Sequence, residues 1–263
     1  MRRTEQISFL INELLKEMPA YRQSAASFPD NEEDQRRLLR SLMNVRMPGV
    51  LSPDFIKVQD ALLQSEAAAK GIVHPADLKP VEGTQIYLWQ GDITRLDAAA
   101  IVNAANAEML GCFVPCHGCI DNAIHSAAGL QLRNECSEIM KKQGHAEPTG
   151  AAKITAGYNL PARYVIHTVG PIVQGAVTAQ DHDNLCSCYL SSLKLATEKH
   201  LSSIAFCCIS TGEFHYPNQA AAKAAVETVR RYLQETDHEI KVIFNVYKEI
   251  DRQIYQGLLG KDQ

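Results

Sequence analysis

A chain of 263 residues can form one large domain, or an ordinary domain with an extension. Its 46% apolar and 21% charged residues make a globular composition, and a net charge of −4 without a basic stripe gives no electrostatic reason to expect nucleic acid. Residues 1–18 thread charges through their apolar positions, unlike a signal peptide, and no apolar run reaches bilayer length, so a cytoplasmic protein with no membrane partner is expected.

The first 82 residues read as a helical extension. Ile7, Leu10, Ile11, Leu14 and Leu15 recur at helical spacing. Asn31 is a capping residue for a second helix through Leu38, Leu39 and Leu42 to about Arg46. Ser52 and Pro53 make a cap-and-first-turn start for a third, with Phe55, Val58, Leu62 and Leu63 on its apolar side. Two prolines and two glycines in 71–83 then mark a connector.

From residue 83 to 263 the pattern changes to a second unit. Short apolar runs at 85–90, 98–105, 151–158, 163–169, 203–210 and 239–247 alternate with helical patterns near 121–132, 183–199 and 219–234. That alternation predicts an α/β sheet with helices on both faces, and runs almost without polar breaks predict strands buried on both sides. Ligands of such sheets bind beyond the carboxyl ends of the strands.

Three loops fall at that edge. Gly91-Asp92-Ile93-Thr94 follows the first run; its aspartate serves an Asx-turn or helix cap, or accepts a hydrogen bond from an exocyclic amine such as that of adenine. Asn103 and Asn106 sit just past the run AAIV at 99–102, and their carboxamides either grip ribose hydroxyls or staple the loop. Ser210-Thr211-Gly212-Glu213-Phe214 is small and glycine-containing, so its backbone N–H groups can turn inward as a nest for phosphate oxygens. Phe214 and Tyr216 would wall a ribose or base, and Asn218 would cap the next helix, whose positive end favours an anion.

Eight cysteines in a chain this size without an export signal point to reduced thiols or metal ligation rather than disulfides. Cys136, Cys186, Cys188, Cys207 and Cys208 read as small core hydrophobes. Cys112, Cys116, His117 and Cys119 differ, because sulfur and imidazole donors this closely spaced suit tetrahedral zinc.

Taken together, GDIT at 91–94, NAAN at 103–106, ITAGYNLPARYVIHTVGP at 154–171 and STGEFHYP at 210–217 resemble the macrodomain superfamily, from about residue 83 to the end. The usual glycine-rich loop after NAAN is replaced by GCFVPCHGCIDN, and with the helical N-terminus this resembles the zinc-dependent macrodomains of bacteria. The resemblance implies a three-layer α/β/α sandwich with a mixed central sheet. It also implies a protein-ADP-ribose hydrolase acting beside a sirtuin-like ADP-ribosyltransferase, with a mono-ADP-ribosylated lipoyl carrier akin to glycine cleavage H protein as target. It carries Asp92, with Ile93, to the adenine of ADP-ribose, Asn103 and Asn106 to the distal ribose, and 210–214 to the diphosphate. The wider superfamily often has glycine where this chain has His215.

Four ligands would close the zinc tetrahedron as a structural site, whereas three leave a position open for chemistry. Cys116 and His117 are neighbours that rarely converge on one ion, so Cys112, His117 and Cys119 are expected to bind, as in the family. His125 reads as a packed residue or a supporter of the metal, and Asp121 as a cap or a partner orienting His117. The expected reaction is hydrolysis of an aspartate or glutamate ester of ADP-ribose, with oxocarbenium character at the distal anomeric carbon. Asn106 and Asn103 would position the sugar, and Glu213 would point outward. The alternatives are a reader of ADP-ribose with a structural zinc, and a hydrolase of small esters such as O-acetyl-ADP-ribose.

Overall fold

The structure is a computed structural model, and it describes residues 1–260. After α1 (Arg3–Glu17) and the short α2 (Arg22–Ala26) come α3 (Glu32–Val45) and α4 (Pro53–Lys70). Asn31 Oδ1 accepts the Asp34 N–H at 3.0 Å, and Glu32, Glu33 and Asp34 lie in the first turn, where the helix dipole favours negative charge. Ser52 Oγ accepts the Phe55 N–H at 3.1 Å, with Pro53 in the first turn. Ile7, Leu10, Leu14, Leu39, Leu42, Phe55 and Leu62 form an apolar core of their own.

The sheet follows: β1 (Ile86–Gln90), β2 (Ala100–Ala105), β3 (Ala152–Ala156), β4 (Tyr164–Val169), β5 (Ser203–Phe206) and β6 (Lys241–Val246), in the order β1-β6-β5-β2-β4-β3. Every pairing is parallel except β3 with β4. Helices α5 (Ile120–Ala128), α6 (Leu130–Gln143), α7 (Ala179–Glu198), α8 (Asn218–Glu235) and α9 (Glu249–Leu259) cover it. Successive residues of β4 show the two faces: His167 reaches Cys136 of α6, and Thr168 sits beside Cys188 of α7. This is the expected α/β/α sandwich with a mixed sheet.

Three helical features differ from the sequence reading, the short α2 between the first two expected helices among them. The helix expected over 121–132 is broken at Gly129, whose φ is +96°, and α6 resumes to Gln143. The C-terminal α9 was not anticipated, although Ile250, Ile254, Tyr255, Leu258 and Leu259 repeat at helical spacing.

Gln59, fully buried on α4, explains how the break is tolerated. Its Oε1 accepts the Leu130 N–H at 2.9 Å, while its amide donates to Gln131. Leu130 itself enters the core of the N-terminal helices. Gln59 thus caps α6, and Leu130 ties the start of that helix to the N-terminal core. Gln59→Leu strands a buried N–H and is expected to lower stability by about 1–3 kcal/mol, read from urea unfolding followed by circular dichroism.

Candidate functional site

The carboxyl ends of β1, β2, β5 and β6 open into a cleft of about 770 Å³. From β2 the chain turns towards β4 and later crosses back to β5, so the loops after β2 and β5 part at this point, where open α/β sheets hold ligands.

On the β1 side, Asp92 caps the turn Ile93–Arg95: its Oδ1 accepts from the Thr94 N–H at 3.0 Å and the Thr94 hydroxyl at 2.7 Å. Its Oδ2 stands 3.7 Å from Lys70 Nζ. Both Asp92 and Ile93 line the cleft. Asn245 of β6 holds this loop by donating to the Gly91 carbonyl at 3.0 Å. Tyr247, just past β6, lines the cleft with 76% of its surface exposed; sequence reasoning missed it, although an aromatic at the carboxyl end of a buried strand was the available signal.

Past β2 the two asparagines separate. Asn106 lines the cleft; its Oδ1 accepts the Glu108 and Met109 N–H groups at 3.1 Å, and its amide donates to the Gly111 carbonyl at 3.2 Å and Asp121 Oδ2 at 3.5 Å. Asn103, expected at the ribose, is fully buried on β2 and lies outside the cleft lining. Its amide donates to Asp121 Oδ1 at 2.7 Å and meets His167 Nδ1 at 3.2 Å, because alternate residues of a strand face opposite directions and this one faces α5 and α6.

Asp121 therefore has a different place from either expected. Cys119, not Asp121, caps α5, with its Sγ accepting the Asn122 N–H at 3.4 Å. Asp121 is a buried carboxyl in the cleft wall, held by both asparagines. Burial pushes its pKa up to about 6, against the Asn103 hydrogen bond and the charge of Arg133. His125 packs beneath, its Nε2 3.5 Å from Asp121 Oδ1 and neither ring nitrogen hydrogen-bonded among the described residues; burial, then the neighbouring His167 and Arg133, hold it well below the usual histidine range.

Cys112, His117 and Cys119 converge. Their donor atoms all lie within 4.8 Å of one another, and each residue is half-buried. His117 Nδ1 is enclosed without a hydrogen-bond partner among the described residues. Burial and the adjacent Cys112 push the Cys119 thiol up to about 12. Two thiols crowding an orphaned imidazole nitrogen form a donor set that fits a thiophilic divalent ion such as zinc. Cys116 turns away: its φ is +52°, and its Sγ lies 3.3 Å from Ser41 Oγ on α3.

Opposite this triad is the loop after β5. The N–H groups of Gly212, Glu213 and Phe214 have no partner among the described residues, and all three line the cleft with Ser210 and Thr211. Such a run of free amides attracts an anion. Ser210 and His215 take positive φ, +64° and +56°, so the histidine occupies a conformation that favours glycine. Gly170, at the end of β4, permits the loop's close approach: a Cβ there would stand 2.1 Å from Ser210 Oγ. Glu213 is exposed, with Oε1 3.7 Å from His117 Nε2. Tyr216, expected as a wall, is buried at 2% exposure and absent from the lining, where the aromatic residues are Phe113, Phe214 and Tyr247. Asn218 does not cap α8; its amide donates to Asp251 and ties α8 to α9.

The macro domain family matches residues 102–225, which run from β2 through the cysteine loop and the free amides into α8. The chain belongs to the macrodomain family. Similarity to single proteins extends over nearly the whole chain: it is 50% identical over 263 residues to a protein-ADP-ribose hydrolase of Treponema medium, covering 99% of this chain and 100% of that one. To a protein-ADP-ribose hydrolase of Staphylococcus aureus strain MRSA252 it is 47% identical over 257 residues, 97% of this chain and 96% of that one. In structure it is similar to the Trypanosoma brucei macrodomain in complex with ADP-ribose, with a TM-score of 0.66 and 32% identity over 84% of this chain and 95% of that one. Among the described residues no helix is long and apolar enough to cross a membrane.

The raised pKa of Asp121 has a signed consequence. Between about pH 4 and pH 6 the folded chain keeps a proton that the unfolded chain releases, so this group's contribution to stability falls as pH rises through that window. In chelator-treated protein, Asp121→Asn is expected to remove that fall, shifting the pH 4–6 change in stability upward by up to about 3 kcal/mol relative to the parent. Urea midpoints measured across the window check it.

Proposed function

We propose that this protein is a zinc-dependent hydrolase that removes mono-ADP-ribose from modified protein side chains, with an aspartate or glutamate ester as the linkage. One observation carries the reading: three free backbone amides and a Cys-His-Cys triad adjoin in a single cleft, bringing an anion site next to a metal-type donor set. The two hydrolase relatives and the ADP-ribose held by the Trypanosoma brucei macrodomain support the same ligand.

In this reading the amides of 212–214 hold the diphosphate, and the positive end of α8 adds a favourable dipole nearby. Asp92 Oδ2, which the Thr94 cap leaves unused, would accept from the adenine amine, with Tyr247 offering a face to the ring. Asn106, whose oxygen already fixes its own turn, would present the distal ribose to the triad side of the cleft. Asp121 would accept from a ribose hydroxyl, while Asn103 acts one layer deeper by fixing that carboxyl.

Hydrolysis then breaks the bond from the anomeric carbon to the ester oxygen; the carboxylate leaves with the electron pair, and water supplies the new oxygen and gives up a proton. Cys112, His117 and Cys119 would hold the zinc, which supplies Lewis acidity towards an oxygen of water or of the substrate. Such positioning is worth roughly 7–11 kcal/mol at best, so a precisely held ribose matters as much as the ion.

The test incubates zinc-loaded protein with an ester-linked mono-ADP-ribosylated protein and follows released ADP-ribose, with ADP-ribose affinity measured by calorimetry. The parent should release ADP-ribose. Cys112→Ser, His117→Ala and Cys119→Ser should each slow release by about 100-fold or more while keeping most of the affinity. Asp92→Ala should weaken binding by about 10- to 100-fold. Retention of the mark by the parent, with ADP-ribose still bound, would identify a reader instead.

A further inference from the structure

The cysteine loop is held from two sides. Asn106 and Asn122 of the sheet unit hold the carbonyls of Gly111, Cys112 and Val114, while Arg40 and Asn44 of α3 hold the His117 carbonyl and the Cys116 N–H. Arg40 Nη2 donates to Asn122 Oδ1 at 2.7 Å and to the His117 carbonyl at 3.2 Å, and its Nε reaches the same Asn122 oxygen at 3.3 Å. Asn122 is fully buried and passes the constraint on: its Nδ2 donates to the Val114 carbonyl at 3.0 Å and the Cys112 carbonyl at 3.5 Å, and its N–H goes to Cys119 Sγ at 3.4 Å. Arg40 and Asn122 together therefore touch all three: the guanidinium reaches the His117 carbonyl, the carboxamide the Cys112 carbonyl, and the Asn122 main-chain N–H the Cys119 sulfur.

Within the loop, the other α3 contacts fall on the residue that turns away. Asn44 Oδ1 accepts the Cys116 N–H at 2.8 Å and Ser41 meets its sulfur, which secures the left-handed conformation at Cys116. Planar, forked donors of this kind fix geometry better than a single ammonium does.

We propose that Arg40 is a positioning residue for the zinc site: with Asn122 it sets the mutual spacing of the three donors, so the N-terminal helices help determine the metal affinity of the cleft. This rests on the zinc reading above. Groups that orient metal ligands from behind typically change affinity by about 10- to 100-fold when removed.

The experiment measures zinc affinity by competition with a chromophoric chelator, and the ligand-field and thiolate charge-transfer bands of the cobalt(II)-substituted protein. The full-length parent is compared with Arg40→Met, Arg40→Lys and, as a control on the same helix, Arg37→Ala, whose side chain is exposed. The parent and Arg37→Ala should bind one equivalent with the same spectrum. Arg40→Met should bind zinc about 10- to 100-fold more weakly with altered cobalt bands. Arg40→Lys, which keeps stem and charge but loses the fork, should show a smaller loss in the same direction, and it serves if Arg40→Met does not fold.

A parent that binds no zinc would overturn the zinc reading and this inference with it. A parent that binds zinc alongside Arg40 variants with unchanged affinity and spectrum would overturn this inference alone. So would an Arg40 variant whose ADP-ribose affinity, measured without metal, falls while its zinc affinity stays, because that assigns Arg40 to the ligand.

Discussion

Parallel pairing is the constraint from which the cleft follows. Because β1, β6, β5, β2 and β4 all run in one direction, the loops carrying Asp92, Asn106, Gly170, Ser210 and Tyr247 emerge at one edge of the sheet. An antiparallel strand among the central four would send one of these loops to the opposite side. The antiparallel pairing of β3 against β4 lies at the margin of the sheet, where it disturbs nothing in the cleft. Helices on both faces make that parallel core affordable, since strands buried on both sides need apolar cover above and below.

Much of this was legible in the residues themselves. The caps at Asn31 and Ser52–Pro53 act through neighbours three positions away, so local spacing suffices to read them. The strands announced themselves by apolar runs, and the cysteine loop by its unusual density of soft donors. What escaped depends on partners far away in the chain. Whether Asn103 or Asn106 faces the ligand depends on where β2 ends and which face meets α5. Tyr216 is buried, near Asp181 and Cys186 of α7, and Asn218 reaches Asp251 of α9, partners that lie at least 30 positions away in the chain. Gly129 breaks a helix that local propensity would continue, and the side chain that makes the break tolerable, Gln59, lies 71 residues from the N–H it satisfies.

The N-terminal helices bear on the cleft from two directions. Gln59 and Leu130 connect their apolar core to α6, and α3 contacts the cysteine loop through Asn44 and through Arg40, which also lines the cleft. Arg133 strengthens the link, donating to the carbonyls of Met43, Asn44 and Arg46 at the end of α3 and to that of Leu110 just before the loop. A buried cation spread over four carbonyls leaves little freedom for α3 to shift without moving the loop.

The tight fit between Gly170 and Ser210 carries an evolutionary implication. With only 2.1 Å available to a methyl group, the tip of one strand and the start of another loop share a single small volume, and neither can grow alone. Bulk gained on one partner would have to be surrendered by the other. Drift at these two sites, 40 positions apart, should therefore occur as compensated pairs, while the neighbouring Gly212, with open space around it, is free of that particular bond.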